Sequence, residues 1–265
     1  MKILLSDLEK KYKNISGVLG SNFFNNYSVD WLDSIPSTMT IVDENIKKNI
    51  INKIIVANFQ NKGQGRFGRH WESPLGKNLL LSVPIKLDSR KLNRIPVIST
   101  ISVLNTIKFF LKRDEHIVIK WPNDILVNDK KISGIIIKTF SSQKYSVVNL
   151  GIGINVNTEL SDYENFDFKA TSLRIENDLV FDIYNVFYKL IISLSESLNS
   201  DYLDIFNHWK NNILIPQKNI NIRNTETSKN ISCKPIGVNN EGLLVVEKEN
   251  GDHLALTSEE VTFHY

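Results

Sequence analysis

Residues 116–140 read HIVIKWPNDILVNDKKISGIIIKTF, and they decide which class of fold the chain adopts. Three apolar runs rich in isoleucine and valine are separated by Trp-Pro-Asn-Asp and by Asn128-Asp129, which are residue types that favour turns. An Asn-Asp pair between two such runs favours a tight hairpin turn. The stretch therefore predicts strand, turn, strand, tight turn, strand.

The sequence on either side predicts further strands and the helices that cover them. Buried strands are expected in NKIIVANFQ, NLLLSVPIKL and YSVVNLGIGINVN, and Pro84 indicates an edge strand or a bulge in the second. Helices are expected in IPSTMTIVDENIKKNI, with a capping Ser-Thr, in IPVISTISVLNTIKFFLKR and within residues 179–212. A short N-terminal amphipathic helix is expected from the spacing of Leu4, Leu5, Leu8 and Tyr12. The fold class is α/β, a mixed β-sheet with helices.

The character of the chain changes after Pro216. Short strand-like runs follow, and turn-forming segments at residues 239–242 and 249–252 separate them. Several short strands in so small a segment indicate a small β-barrel that forms a second domain.

Composition and charge narrow the classes of protein that need to be considered. Hydrophobic residues make up 42% and charged residues 23% of the 265 residues, as in ordinary globular proteins. The net charge of +3 does not indicate broad affinity for nucleic acid or membranes, but it suits an anionic small ligand. The single cysteine, Cys233, allows no intrachain disulfide and no zinc-binding cysteine cluster. With neither a signal-peptide core nor an apolar run of ~18 residues, the chain is predicted to be soluble and cytoplasmic.

Residues 58–74, NFQNKGQGRFGRHWESP, form a basic glycine-rich segment. Its Gly-x-Gly-x-x-Gly pattern formally matches the dinucleotide-binding fingerprint, but that fingerprint requires a helix directly after the loop. Here the loop leads into the strand NLLLSVPIKL instead. A phosphate-binding Gly-Lys-Ser/Thr sequence and the His-Arg-Asp triplet of protein kinases are both absent from the sequence.

The same segment suits a phosphate-bearing small molecule. Glycines let the backbone approach a ligand closely, backbone N–H groups can cradle an anion, and arginines such as Arg66 and Arg69 bind phosphate bidentately. A nucleic-acid patch, in which Phe67 and Trp71 stack on bases, is an alternative, although the rest of the chain offers no matching basic stripe. A surface loop without a role is the other alternative.

Three further segments carry residue types suited to a nucleotide site. In residues 120–124, KWPND, an Asn-Asp pair after a strand can bind ribose or Mg²⁺ oxygens, or it can simply form an Asx turn. In residues 131–135, KISGI, the lysine either meets an anion or is solvated, and the glycine indicates close approach of a ligand. In residues 151–155, GIGIN, two glycines form either a flat wall for a planar ring or a sheet bulge.

The ordered set GQGRFGRHW, KWPND, KISGI and GIGIN resembles the biotin–protein ligases, and the resemblance covers residues 31–265. It implies a mixed-sheet α/β fold like that of class II aminoacyl-tRNA synthetases, with a small C-terminal SH3-like β-barrel. The implied divisions are a short N-terminal extension (1–30), a catalytic ligase domain (31–212) and the SH3-like domain (213–265).

The resemblance also implies the reaction. Biotin would attack the α-phosphate of ATP–Mg²⁺ to give biotinyl-5′-adenylate, and a lysine of the biotin carboxyl carrier domain of a biotin-dependent carboxylase would then take the biotin. No covalent enzyme nucleophile is needed. The N-terminal segment has no room for the DNA-binding domain of the family's repressor members, so a ligase that binds neither DNA nor membrane is predicted, and a homodimer is compatible with it.

The resemblance assigns roles residue by residue. Lys131, Arg66 and Asp124 are the implied catalytic residues, and Asp124 is also the implied metal-side carboxylate. The implied biotin-binding residues are Ser37, Thr38, Gln60, Gly63, Arg66, Lys131 and Gly134. The implied ATP and adenylate contacts are Arg66, Arg69, Trp71, Asn123, Lys131, Gly151, Gly153 and Asn155. The segment ATSLR, from Ala170, resembles one that borders the nucleotide.

Two positions depart from the family pattern. Gln64 replaces the first loop arginine, which removes one positive charge, and Met39 replaces the usual asparagine after Ser-Thr, which removes one polar contact to biotin.

The rival within the same fold is a lipoate–protein ligase, which should contain Arg-Arg-x-Gly-Gly-Gly, and the sequence lacks it. The rival from another class is a nucleic-acid-binding module.

Overall fold

A computed structural model describes residues 2–4, 23–111, 116–141, 145–164, 169–223, 230–257 and 261. Residues 2–4 form a strand, so Leu4 does not belong to the predicted N-terminal helix. The remaining residues of that predicted helix lie outside the described residues.

The central element is a nine-stranded mixed β-sheet, which confirms the predicted fold class. Its strands are β1 (Lys2–Leu4), β2 (Ser28–Ile35), β3 (Lys53–Gln60), β4 (Asn78–Leu87), β5 (Ile117–Lys120), β6 (Asp124–Val127), β7 (Lys130–Ser141), β8 (Ser146–Asn155) and β9 (Ile213–Leu214). Their order across the sheet is β1-β2-β3-β4-β8-β7-β6-β5-β9. The pairs β2–β3 and β5–β9 are parallel, and the other neighbours are antiparallel.

The three strands expected in residues 116–140 are β5, β6 and β7. The tight turn between β6 and β7 is confirmed, because Asn128 and Asp129 both have positive φ, 49° and 62°, as the hairpin turn that matches strand twist requires. Pro84 does not lie in an edge strand, since β4 runs between β3 and β8. Its pairing with β3 ends at Ser82, however, so Pro84 lies where β4 has a strand neighbour on one side only.

Five α-helices accompany the sheet in the described residues. They are α1 (Thr38–Lys47), α2 (Ile95–Phe110), α3 (Leu173–Asn177), α4 (Ile183–Asn199) and α5 (Tyr202–Lys210). The helices expected near residue 38, near residue 95 and within 179–212 are therefore confirmed.

The two faces of the sheet carry different helices. Alternation along β4 sends Leu79, Leu81 and Val83 into the main hydrophobic core, which also contains the buried residues of α2 and α4. On the opposite face the Ser82 hydroxyl donates to Thr38 Oγ1 at the start of α1, at 2.8 Å. Helix α1 thus packs on the opposite face of the sheet from α2 and α4.

The C-terminal part forms a four-stranded antiparallel sheet of β10 (Ile220–Arg223), β11 (Asn230–Val238), β12 (Leu244–Lys248) and β13 (His253–Leu256). Gly242 and Gly251, in the two predicted turn segments, have φ of 80° and 85°, a conformation that glycine adopts without strain.

The predicted domain divisions at residues 30 and 212 stay predictions. Strands β1 and β9, from the two flanking segments, both join the large sheet. None of the described helices is long and apolar enough to span a membrane.

Candidate active site

A cavity of about 580 Å³ opens on the face of the sheet that carries α1. Its floor is a row of residues that are direct neighbours on β4, β8, β7 and β6, namely Leu80, Gly153, Gly134 and Asp124. Because two consecutive members of the row are glycines, the middle of the floor is bare backbone. A planar group can therefore lie directly on the sheet there, and the ring of Trp71 occupies that place.

One end of the cavity is built by the N-terminus of α1. Ser37 occupies the N-cap position with φ of −163°, but its hydroxyl does not cap the helix. The side chain of Gln60 does so instead: its Oε1 accepts from the Thr38 N–H at 2.7 Å and from the Thr38 hydroxyl at 3.1 Å. The Ser37 Oγ is buried and makes no hydrogen bond within the described residues. This end therefore presents a buried hydroxyl that needs a polar partner.

Met39 covers the floor beside that hydroxyl. It is 4% exposed, and a Cβ built on Gly151 would come within 2.6 Å of its sulfur and within 2.7 Å of Ile136 Cγ2. A side chain at residue 151 would therefore force Met39 and Ile136 to shift. Gly151 lies at the α1 end of the cavity, so among the three wall residues predicted for the nucleotide it is the one farthest toward the predicted biotin side.

The glycine-rich segment folds back over the cavity as a small hairpin. Trp71 N–H donates to Gly63 O at 3.1 Å, and Gly65 N–H donates to Arg69 O at 2.7 Å. A Cβ at Gly63 would come within 2.4 Å of Trp71 O, so the close pairing of the two chains requires glycine there. At the tip, Phe67 has φ of 56° and is 53% exposed, which is an unusual conformation for an aromatic residue.

Trp71 anchors this hairpin to the floor. Its ring lies against the two floor glycines: a Cβ at Gly153 would come within 2.6 Å of the ring and one at Gly134 within 2.8 Å. Its Nε1 is buried and makes no hydrogen bond within the described residues. The Lys131 Nζ lies 5.5 Å from the centroid of the ring, within the range of a cation–π contact.

Positive charges converge at the other end of the cavity. Lys131 Nζ lies 2.8 Å from Asp124 Oδ1, and both side chains are mostly buried, at 19% and 7% exposed. Burial lowers the pKa of the neighbouring Lys120, Asp124 opposes that effect, and the charges of Lys131 and Arg69 lower the pKa further. Arg66, Arg69 and Lys131 line the cavity together with the carboxylates Asp124 and Glu72, so its charged lining is cationic by one and favours an anionic group.

Arg66 is tethered across the cavity. Its Nη1 donates to Asn123 Oδ1 at 3.1 Å, and Asn123 Nδ2 donates in turn to Ile135 O at 2.7 Å. The KWPND turn thus holds the tip of the glycine-rich hairpin in place.

The structure brings nearly all predicted site residues to this one cavity. Its lining includes Ser37, Thr38, Gln60, Arg66, Arg69, Trp71, Asn123, Asp124, Lys131, Gly134, Gly151, Gly153 and Asn155, together with the departing residues Met39 and Gln64. Gly63 does not belong to the lining. The amide Nδ2 of Asn155 is already engaged, because it donates to Thr171 O at 3.0 Å.

The sequence analysis assigned no role to some of the lining residues. Leu80 and Ile152 look like ordinary core residues in the sequence, and Val261 comes from the C-terminal part of the chain. Trp121 also lines the cavity, and its Nε1 donates to Gly242 O at 3.0 Å, which joins the KWPND turn to the C-terminal sheet. No local pattern in the sequence marks such contacts between distant segments.

The described residues contain no cluster of three or more His, Cys, Asp or Glu side chains that could hold a metal ion. Asp124 is the predicted metal-side residue, and its carboxylate already pairs with Lys131. A divalent cation at this cavity would therefore draw most of its ligands from a bound phosphate group rather than from the protein.

Comparisons with known proteins agree with this geometry. Residues 31–155 match the model of the biotin/lipoate A/B protein ligase family. The bifunctional ligase/repressor BirA of Bacillus spizizenii is 26% identical over 260 residues, which are 93% of this chain and 76% of that protein. Biotin–protein ligase 2 of Arabidopsis thaliana is 32% identical over 135 residues, which are 49% of this chain and 40% of that protein. The structure of the biotin protein ligase from Aquifex aeolicus in complex with biotin and ATP superposes with a TM-score of 0.70 at 25% identity and covers 88% of this chain and 97% of that one.

Proposed function

We propose that the chain belongs to the biotin/lipoate A/B protein ligase family and is a biotin–protein ligase that activates biotin with ATP and transfers it to a lysine of an acceptor protein. One of the relatives named above is a biotin–protein ligase and the other a bifunctional ligase/repressor, and one of the similar structures holds biotin and ATP.

One observation carries the proposal: the cavity is polar at one end and cationic at the other. The α1 end offers the buried Ser37 hydroxyl, and the opposite end offers Lys131 and Arg66. Biotin has a neutral ureido ring that forms hydrogen bonds, an apolar body and a carboxylate tail. Its polar ring and its anionic tail suit the two ends of the cavity in that order.

In the first step the carboxylate of biotin attacks the α-phosphate of ATP, and pyrophosphate leaves. Lys131 would lie where the carboxylate and the α-phosphate meet, and its positive charge stabilises the charge that develops at phosphorus. Its ion pair with Asp124 holds it in the cavity before the substrates enter. Arg66 would close over the adenylate from the hairpin, held by Asn123.

Mg²⁺ would enter as the counter-ion of the triphosphate. Mg²⁺ sites of this kind use one or two carboxylates and the phosphates of the substrate, so the single carboxylate of Asp124 suffices on the protein side.

In the second step the amine of an acceptor lysine attacks the carbonyl of biotinyl-adenylate, the amide bond forms and AMP leaves. The cavity residues supply position and charge rather than a nucleophile of their own. One relative is named biotin–[acetyl-CoA-carboxylase] ligase, from Paracoccus denitrificans, so the acceptor would be the biotin carrier domain of such a carboxylase. We also infer that the C-terminal sheet closes as an SH3-like barrel.

Pyrophosphate exchange into ATP tests the proposed function. Biotin should drive the exchange, while lipoate and the absence of an acid substrate should leave it at background. Exchange driven by lipoate but not by biotin would overturn the proposal in favour of a lipoate ligase.

A further inference from the structure

The backbone of Lys131 is held by a segment that is distant in sequence. The ladder between β6 and β7 passes from the pair Ile125–Ser133 to the pair Leu126–Lys131, so a bulge separates Lys131 from the regular part of β7. At this bulge Lys131 N–H donates to Lys169 O, and Lys131 O accepts from Thr171 N–H, both at 2.9 Å. We refer to residues 169–172 as the buttress segment.

Thr171 is the centre of the buttress segment and is completely buried. Its carbonyl oxygen accepts from Asn155 Nδ2 and from the Tyr163 hydroxyl, both at 3.0 Å. Burial raises the pKa of Tyr163, so the hydroxyl keeps its proton and stays a donor throughout the neutral range. Ser172 adds an anchor of its own, since its hydroxyl donates to Thr158 O at 2.6 Å.

The side chain of Glu176 joins the buttress segment to the β6–β7 hairpin. Its Oε1 accepts from the Thr171 hydroxyl at 2.5 Å and from Lys130 Nζ at 3.1 Å, and its Oε2 accepts from Asn128 Nδ2 at 3.2 Å. The side chain is 7% exposed. A carboxylate this buried is retained only where donors satisfy it, and here the donors come from both chain segments next to Lys131.

We propose that Glu176 is a positioning residue for Lys131: it fixes the height of the ammonium group above the cavity floor, through Thr171 on one side and the hairpin turn on the other. Neither Glu176 nor Thr171 belongs to the residues that line the cavity, so both act through Lys131 rather than on the substrate. The inference rests on the proposed function, in which Lys131 stabilises charge in the reaction that forms the adenylate.

Two substitutions remove the same contact from opposite sides. Glu176→Ala deletes the acceptor, and Thr171→Val deletes the donor with little change in side-chain volume. Each should lower kcat of the biotin-dependent ATP–pyrophosphate exchange by about 10- to 100-fold, since a displacement of about 1 Å at a reacting group costs that much. The KM values for biotin and ATP should change by less than about threefold. Glu176→Gln keeps one acceptor oxygen and should restore part of kcat.

The double variant separates positioning from general loss of stability. If the two residues act through one contact, Glu176→Ala combined with Thr171→Val should be no slower than the slower single variant, because coupled residues are not additive. Glu159→Gln is the matched control, since Glu159 is also ion-paired, but to Lys77 and Arg174 rather than to the buttress segment or Lys131. Its kcat should stay within about twofold of the unsubstituted protein.

Three outcomes would overturn the positioning role. They are a Thr171→Val variant with unchanged kcat, multiplicative effects in the double variant, and a loss in Glu159→Gln equal to that in Glu176→Ala. If Glu176→Ala does not fold, Thr171→Val alone still decides. Failure of the proposed function would look different, because the unsubstituted protein itself would then show no biotin-dependent exchange.

Discussion

The ring of Trp71 lies directly on the backbone of Gly153, where a Cβ atom would come within 2.6 Å of it. This contact joins the glycine-rich hairpin to the middle of the central sheet. The hairpin is therefore not a free surface loop, and its position depends on the absence of a side chain at a residue in another strand.

Gly153→Ala is expected to push Trp71 off the floor. Inserting a methyl group into a packed contact costs about 1–3 kcal/mol of unfolding free energy, and the displaced ring should also raise the KM for ATP. Urea unfolding and exchange kinetics measure the two effects. Gly237→Ala is the control, because a Cβ at Gly237 meets nothing within 4 Å. Equal behaviour of the two variants would show that Trp71 does not need Gly153.

Arg66→Gly is expected to speed the escape of biotinyl-adenylate. The substitution removes the Arg66–Asn123 hydrogen bond that holds the hairpin tip, and the arginine is also placed to contact the adenylate. Loss of a hydrogen bond to a charged group costs about 1.5–3 kcal/mol, which corresponds to a release rate roughly 10- to 100-fold higher. Chromatography of free adenylate over time measures the rate. Arg90→Gly, at an exposed arginine that pairs with Asp88, serves as control, and a release rate equal to that of this control would remove Arg66 from adenylate retention.

Lys77, three residues after the glycine-rich segment, forms a pH-dependent ion pair. Its Nζ lies 2.7 Å from Asp162. Burial alone would raise the pKa of Asp162, but the hydrogen bonds from Lys77 and from the Glu159 N–H lower it below its ordinary value. A carboxyl whose pKa is lower in the folded state stabilises the fold above its unfolded pKa of about 3.9, and that stabilisation is lost as the pH falls through the folded value.

Lys77→Met should therefore lower the free energy of unfolding at pH 7 by about 0.2–1 kcal/mol, the range for partly exposed ion pairs. The difference from the unsubstituted protein should shrink as the pH falls below about 4. Urea unfolding at pH 7, 5 and 3 measures it. A difference that is as large at pH 3 as at pH 7 would mean that Lys77 contributes by packing rather than by charge.

The sequence patterns predicted the local parts of the site well. Residues 116–140 form the predicted strands and tight turn, and the glycines at 134 and 153 meet side by side in the sheet. Strand periodicity and turn chemistry depend on neighbours in sequence, so they can be read without the fold. Of the 14 site residues that the resemblance to biotin–protein ligases assigned, 13 line the cavity.

The remaining features depend on contacts between distant segments. The sequence favours Ser37 as the cap of α1, but Gln60 supplies the cap and leaves the Ser37 hydroxyl to the cavity. Nothing near Lys131 in sequence indicates that its backbone is held by Thr171, or that Glu176 lies behind both. Periodicity and spacing do not report such pairings, because they form only when the sheet brings the strands together.

Lys131 provides the most direct test of the proposed mechanism. Biotin-dependent ATP–pyrophosphate exchange should be measured for the unsubstituted protein, for Lys131→Ala and for Lys138→Ala. Lys138 is the matched control, because it lies in the same strand but pairs with Asp43 and is 56% exposed. Lys131→Ala should lower kcat by about 100- to 1,000-fold, as expected when a group that stabilises developing charge is removed, while Lys138→Ala should stay within about twofold. Full exchange activity in Lys131→Ala would contradict the account.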